Sequence, residues 1–437
     1  MARRKSYIPL NVFLNGRLVG RLNRSSTGAI DFRYDHSWLD WGATFPVSLS
    51  LPLREDRYAG APVFAVFDNL LPDGEGIRKH IAECTGAEGT DTFSLLTALG
   101  HDCAGALQFL AEGAKPGPAG GTEAREISTA EIAHIIRNLG RAPLGVGEDE
   151  AFRISIAGAQ EKTALLQREG RWHKPIGTTA TTHIIKPQIG QLPNGIDLSC
   201  SVENEYLCLK LVSAMGVPVA QAEMADFEDK RALIVTRFDR LWTADGRLIR
   251  LPQEDCCQAL SVTSTRKYQP EGGPGMVQIL ELLRGSDTPD TDIAAFIRAN
   301  IIFWLLGATD GHAKNFSVFL TPRGFHMTPL YDVLSAQPSL DAGQIQRKQF
   351  KLAMAVGTSN HYLVHQVLPR HFIQTAKKAG VSRNAVETAV DDLKATVSGR
   401  VADVINGLPK AFPPAVSESI QKGIHQRLAR LEIVDEE

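Results

Sequence analysis

Asp310 and Asn315 stand five positions apart in GATDGHAKN (307–315), directly after an apolar stretch, 293–306, that reads as a buried helix. An aspartate on a loop anchored by a rigid helix can accept or orient the proton of an attacking hydroxyl. An asparagine at this spacing can offer its amide oxygen to a metal held beside it. Taken alone, the D-x-x-x-x-N spacing is equally well explained by an Asx turn. The residues that follow shift the balance. Segments 316–320 and 325–329 read as strands joined across Pro322-Arg323-Gly324, and a hairpin returns the chain to its start. Asp332 then comes close to Asn315 and Asp310. Two carboxylates and an amide in one polar cleft suit Mg2+, which takes few protein oxygens and completes its shell with phosphate oxygens. The competing reading makes Asp332 a cap of the next segment.

A second group lies upstream. In FRISIAGAQEKTALL (152–166), Gly158 falls in a turn between two expected strands, FRISIA and TALLQ, where backbone N–H groups can cover phosphates. The spacing is not that of a Walker A loop, and an ordinary hairpin turn is the plain alternative. Lys186 ends the apolar strand THIIK, from which it can reach α and β phosphates or simply extend to solvent. Glu205 on the next helix is a candidate partner for it, with Glu203 a poorer one. No element is decisive. Their order is informative: glycine turn, strand lysine, helix glutamate, hinge-like strand, buried helix, D-x-x-x-x-N, hairpin, aspartate. Functions follow one another in this order along a protein kinase.

The elements that must position these residues form an α+β chain. The 437 residues exceed what one core usually supports. An N-terminal mixed α/β domain is expected over 1–111, with a hairpin at Asn15-Gly16, an alternating strand over 46–53, and a helix after Pro72-Asp73-Gly74. The Gly-, Pro- and Ala-rich stretch 112–126 opens a linker and connecting helix, 112–150, in which Ser128 and Glu131 can form a capping box. Residues 151–437 then read as a protein-kinase-like bilobal region, β-rich to about 255 and mainly helical after it.

Composition excludes several classes. With 43% hydrophobic and 22% charged residues, the chain has an ordinary globular profile. Its 47 basic and 49 acidic residues, net −2, are not those of a free-standing nucleic-acid coat, although contact with DNA beside a basic partner stays open. The six cysteines form no CxxC pair and read as reduced cytosolic thiols. The N-terminus lacks a signal-peptide apolar run, and the apolar helix is too short to span a bilayer. A cytoplasmic protein without membrane contact is expected.

The sequence closely resembles the HipA family. The matching stretches are FDNLLPD, GHDCAGAL, FRISIAGAQEKTALL, TTHIIKP, NEY, RFDR, LPQED, GGPG, GATDGHAKNFSVF, Tyr331-Asp332 and KLAMAVG. They cover nearly the whole chain, and the GAQEK and TDGHAKN blocks are specific to the family. The resemblance implies a serine/threonine-protein kinase with an appended N-terminal domain, using ATP and Mg2+. It implies Asp310 as catalytic residue and Asn315 and Asp332 as magnesium ligands. Ala157, Gly158, Ala159, Gln160, Glu161 and Lys162 match the phosphate loop, and Lys186 matches the ATP lysine. Thr236, Arg237 and Phe238 match the adenine strand, with Thr236 where relatives can carry Glu. His312, Ala313, Lys314, Asn315, Tyr331 and Asp332 match further ATP-site positions, and Ser155 the autophosphorylated serine. It further implies a toxin of a two-gene toxin–antitoxin system. Its partners would be a HipB-like helix-turn-helix antitoxin, operator DNA through that antitoxin, and an aminoacyl-tRNA synthetase substrate, chiefly glutamyl-tRNA synthetase. Modifying the synthetase would lead to growth arrest and persistence. Two other readings stay open. One is a catalytically inactive corepressor that only grips its antitoxin. The other is a metal-dependent hydrolase built on Asp310, His312 and Asp332, with His361 and His365 as a helical pair.

Overall fold

The computed structural model describes residues 9–146, 152–158 and 160–432. The fold is α+β, and the chain divides into two compact units. The first takes residues 1–187, 225–265 and 318–324; the second takes 188–224, 266–317 and 325–437.

In the first unit, five antiparallel strands lie in the order Tyr58–Ala59, Ile30–Tyr34, Arg17–Arg24, Leu10–Leu14, Leu107–Ala111. The hairpin between Leu10–Leu14 and Arg17–Arg24 turns on Asn15 (φ 47°) and Gly16 (φ 83°). Two successive left-handed residues give the turn whose twist matches that of paired strands. A six-stranded sheet follows, ordered Ala222–Phe227, Lys230–Thr236, His183–Pro187, Thr163–Arg168, Arg171–Pro175, Ala124–Glu126. The helix Thr129–Arg137 packs on it through Ile132, Ala133 and Ile136 against Leu165, Ile185 and Ile234. Ser128 and Glu131 close the expected capping box at its start.

Two expected strands are absent. Residues 46–53 form bends, because Ser48 Oγ accepts the Ser50 N–H and the Leu49 N–H donates to Glu254, so the backbone bonds to side chains instead of to a neighbouring strand. FRISIA is also irregular. Its Ser155 N–H donates to the Asp102 carbonyl (2.9 Å), and the Asp73 N–H donates to the Gly158 carbonyl (3.3 Å). The ladder partners of Thr163–Arg168 are instead Arg171–Pro175 and His183–Pro187.

The interior of this unit holds a fully buried ionic network. Asp102 accepts from Arg240 (2.8 Å), Arg250 (3.0 Å) and Arg237 (3.3 Å), and from the Thr181 N–H and hydroxyl. Arg237 also donates to both oxygens of Asp239 (3.0 and 2.7 Å). Burial alone would raise the Asp102 pKa. The three guanidiniums overcome it and hold the carboxyl well below the usual range. Other guanidinium N–H groups of the network donate to carbonyls of Cys103, Gly105 and Thr181, so the charges are solvated in part by the fold itself.

The second unit is mainly helical, with Ser201–Ala214, Met276–Leu283, Pro289–Leu306, Pro369–Lys378, Arg383–Asn406 and Pro414–Leu428 as its principal helices. Pro289–Leu306 is mostly apolar beyond its first turn, with Phe296, Ile297, Ile301, Ile302, Phe303, Trp304, Leu305 and Leu306 buried. Pro289 and the first-turn acids Asp290 and Asp292 suit a helix N-terminus. Gly307 ends the helix at φ 66°, and a Cβ there would lie 2.5 Å from the Phe350 ring. No helix among the described residues is long and apolar enough to cross a membrane. All six cysteines carry free thiols.

Removing one partner of a buried ion pair leaves its counter-charges uncompensated and costs about 3–5 kcal/mol. Asp102→Ala is therefore expected to lower the unfolding free energy by that order, read by urea denaturation. A change below about 1 kcal/mol would show that the network is dispensable.

Candidate active site

The buried helix delivers Asp310 three residues beyond Gly307, on a loop closed by a single 3-10 turn, Ala313–Asn315. The His312 N–H donates to the Asp310 carbonyl (2.8 Å), and the Asn315 N–H donates to the His312 carbonyl (2.9 Å). The Asp310 side chain is 55% exposed, whereas Asn315 is buried. The Asn315 amide nitrogen donates to the Asp310 carbonyl (2.9 Å) and to the Asp332 carbonyl (3.3 Å). One side chain thus ties the helix-end loop to the residue that follows the hairpin. The hairpin itself is formed by Ser317–Thr321 and Gly324–Met327, and its base closes where the Thr328 N–H donates to the Ser317 carbonyl (3.0 Å). Asp332 adopts a left-handed backbone (φ 60°), which aspartate tolerates better than most residues.

Tyr331 braces the same junction. Its hydroxyl donates to the Lys314 carbonyl (2.7 Å) and shares a 2.5 Å hydrogen bond with the Ser317 hydroxyl. Lys314 is buried. His312 is buried too, its Nδ1 without a hydrogen-bond partner and its Nε2 4.0 Å from Asp310. Burial, and after it the Lys267 charge, push the imidazole down to about 4, so it is neutral at pH 7. Asp310, His312, Ala313, Lys314, Asn315, Tyr331 and Asp332 all belong to the second unit.

Tyr268, which motif reasoning passed over, belongs here as well. Its hydroxyl donates to Asp310 Oδ1 (2.5 Å), and its ring meets the His312 ring edge-on at 4.8 Å. The only sequence signal was the glycine-rich YQPEGGPG run that begins with it.

The other candidates lie in the first unit. Gly158 has φ 105°, and a Cβ on it would stand 2.6 Å from Lys162 Nζ. The positive φ favours glycine there, and Lys162 folds back over it to donate to the Ala157 carbonyl (2.7 Å). The Gln160 amide donates to the Pro187 carbonyl (3.4 Å). Gly158, Gln160, Glu161 and Lys162 line one side of a cavity of about 200 Å³ whose other walls include Pro72, Ile77, His80 and Leu144. Ala159 lies outside the described residues. Lys186 is a buried strand residue opposite Leu233. Thr236 ends its strand opposite His183, the Arg237 N–H donates to the Thr182 carbonyl (2.9 Å), and the Phe238 ring packs edge-on to Phe319. The Arg237 side chain serves the ionic network, so only its backbone can face a ligand. Ser155 is fully buried, its hydroxyl donating to the Leu70 carbonyl (2.7 Å). In the second unit, Glu205 is buried on the helix Ser201–Ala214, and Glu203 accepts from Gln188 (2.7 Å).

The histidine pair of the hydrolase reading does not form. His361 lies on the short strand His361–Leu363, stacked on His371 at 3.9 Å, and His365 sits in the turn after it, so no helix places the two on one face. Among the described residues no group of three or more His, Cys, Asp or Glu side chains has metal-holding geometry. A cation at Asn315 and Asp332 would have an amide oxygen and one carboxylate, a donor set that suits Mg2+ with phosphate or water completing its shell.

Comparison with known proteins gives a consistent picture. A model of the HipA N-terminal domain matches residues 10–110, and a model of the HipA-like C-terminal domain matches residues 154–401. The Y4mE protein of Sinorhizobium fredii is 36% identical over 402 residues, covering 91% of each chain. The serine/threonine-protein kinase toxin HipA of Shewanella oneidensis is 27% identical over 417 residues, covering 92% of this chain and 90% of that one. In the solved complex of Shewanella oneidensis HipA, HipB and operator DNA, a chain superposes with a TM-score of 0.79 at 25% identity, over 97% of this chain and 96% of that one. With a family model over more than half of its length and a relative of 36% identity across nine-tenths of it, the chain belongs to the HipA family.

Proposed function

We propose that this chain is a serine/threonine-protein kinase that transfers the γ-phosphoryl group of ATP to a hydroxyl of another protein. The observation that carries the reading is the Asn315 clasp, which holds Asp310 and Asp332 on adjoining backbone. Asp310, exposed at the end of a rigid helix, is the group that receives the proton of the attacking hydroxyl. That oxygen bonds to the γ-phosphorus, the bond to the bridging oxygen breaks, and ADP leaves. Asn315 and Asp332 would hold Mg2+, which neutralises charge developing on the phosphate oxygens. His312, neutral and buried, shapes the loop without adding charge. We assign residues 157–162 to the phosphates, Lys186 to the α and β phosphates, and the backbone of 236–238 to adenine.

The same reading extends to biology through the Shewanella complex, in which HipA occurs with HipB and operator DNA. We propose that this chain is a cytoplasmic toxin that binds a HipB-like antitoxin and, through it, operator DNA. We propose an aminoacyl-tRNA synthetase as its substrate, whose modification restrains translation and growth. We also propose that Ser155 is its autophosphorylation site. The buried Ser155 hydroxyl donates to a carbonyl, so a phosphoryl group carrying about −1.5 to −2 charges cannot take its place. Segment 152–158 must then leave its position, and the phosphate loop with it.

Three outcomes are expected. Asp310→Ala should abolish transfer, by about a hundredfold or more, with ATP affinity nearly unchanged. Near-normal turnover, measured with radiolabelled ATP, would remove Asp310 from its role. Asp332→Asn should weaken Mg·ATP binding by about tenfold or more relative to Asp310→Ala, because a hard anionic ligand is lost. Calorimetric titration checks this, and equal affinities would contradict the metal assignment. Wild type treated with ATP should carry phosphate on Ser155 and lose ATP affinity, whereas Ser155→Ala should keep it. Mass spectrometry and titration of the same sample decide this, and undiminished binding by the modified protein would refute the switch.

A further inference from the structure

The KYQPEGGPGM run (267–276) builds one rigid turn whose product is the position of the Tyr268 hydroxyl. The Tyr268 carbonyl accepts N–H donors from Glu271 (3.1 Å) and Gly273 (3.0 Å). A Cβ on Gly273 would stand 2.1 Å from the Arg266 carbonyl oxygen and 2.8 Å from that of Tyr268, so no other residue closes the turn without moving backbone. Gln269 anchors the turn by accepting the Ala355 N–H (2.7 Å) on the strand Lys351–Val356. A Cβ on Gly275 would meet the Gln269 side chain at 2.5 Å. The Tyr268 ring is seated edge-on against buried His312, and its hydroxyl reaches Asp310 Oδ1 at 2.5 Å.

We propose that Tyr268 is a positioning residue for phosphoryl transfer: by donating to one oxygen of Asp310 it fixes the plane of that carboxylate, and so the direction from which the other oxygen meets the acceptor hydroxyl. The inference rests on the assignment of Asp310 made above. The Asp310 main chain is held by Asn315 and His312, and the Tyr268 hydrogen bond adds a fixed point on its 55% exposed side chain. Small errors in placing a reacting group cost large factors in rate. A tyrosine could also sit on this carboxylate as a pseudosubstrate that must withdraw before an acceptor enters. The turn argues against that, because Gly273 is packed against the Arg266 and Tyr268 carbonyls and Gln269 ties the turn to the strand Lys351–Val356.

The test compares wild type, Tyr268→Phe and Asp310→Ala as full-length chains. Phosphoryl transfer from radiolabelled Mg·ATP is followed both as label on protein and as ADP formed. Tyr268→Phe keeps the ring against His312 and removes only the hydroxyl. It should lower kcat about tenfold while the KM for Mg·ATP stays within about twofold and the melting temperature is unchanged. An unchanged kcat would overturn the proposal. A raised kcat would identify a pseudosubstrate instead. Parallel losses of kcat, ATP affinity and melting temperature would make Tyr268 merely structural and also overturn it. If Asp310→Ala remained active, the assignment of Asp310 would fail, and if wild type transferred nothing, the kinase assignment itself would fail; either result takes this inference with it. A normal Asp310 result with an unaffected Tyr268→Phe would fail the inference alone.

Discussion

The candidate active site depends on one amide. Asn315 Nδ2 donates to the carbonyls of Asp310 and Asp332, and these two bonds join a loop at the end of a buried helix to the far side of a hairpin. Such a joint works only if both sides are stiff. The helix Pro289–Leu306 is held because its C-terminal half, 299–306, is buried, and it ends at Gly307 in a left-handed conformation beside Phe350. The hairpin exit is stiff because the Tyr331 hydroxyl bonds Lys314 and Ser317 at its base. Because the clasp uses the amide nitrogen, it also orients the amide oxygen, the atom that suits a hard cation. Architecture and proposed ligation thus come from opposite ends of one side chain.

The first unit solves a different problem. Its buried network joins three arginines to two aspartates, one positive charge in excess within the network. Such groups are tolerable only when every charge is paired or hydrogen-bonded. Asp102 sits at the centre, and the residues it organises come from the GHDCAGAL and RFDR stretches and from Arg250. This accounts physically for two motifs that carry no obvious chemistry. It also explains why Arg237, beside candidate ligand-binding backbone, turns its side chain inward. Ser155 bonds to the Asp102 carbonyl through its N–H, so the proposed modification site leans on the same network.

Much of this was legible in the sequence where local chemistry decides structure. Asn15-Gly16, the Ser128–Glu131 box and the long apolar helix follow from turn, cap and periodicity rules, and all are present. The hairpin between Asn315 and Asp332 was legible because Pro322-Arg323-Gly324 marks its turn. Local rules failed where distant partners take the backbone. Residues 46–53 alternate like a strand but bond to Glu254 and Ser48, and in FRISIA the Ser155 N–H goes to the remote Asp102 carbonyl. His361 and His365 have helical spacing but lie on a strand and a turn. Tyr268 stayed invisible for the same reason, since 42 residues separate it from Asp310 and only its glycine-rich turn hinted at a fixed position.

The central claim, that Asn315 and Asp332 form one ligand set beside Asp310, is tested most directly by crystallography. The full chain would be crystallised with Mn2+ and a non-hydrolysable ATP analogue, and an anomalous difference map recorded at the manganese edge. The account predicts a peak about 2.2 Å from both Asn315 Oδ1 and an Asp332 carboxylate oxygen, with Asp310 facing the γ-phosphate. A metal bound by Asp310 and His312 instead, or a nucleotide with no metal at Asn315 and Asp332, would contradict it.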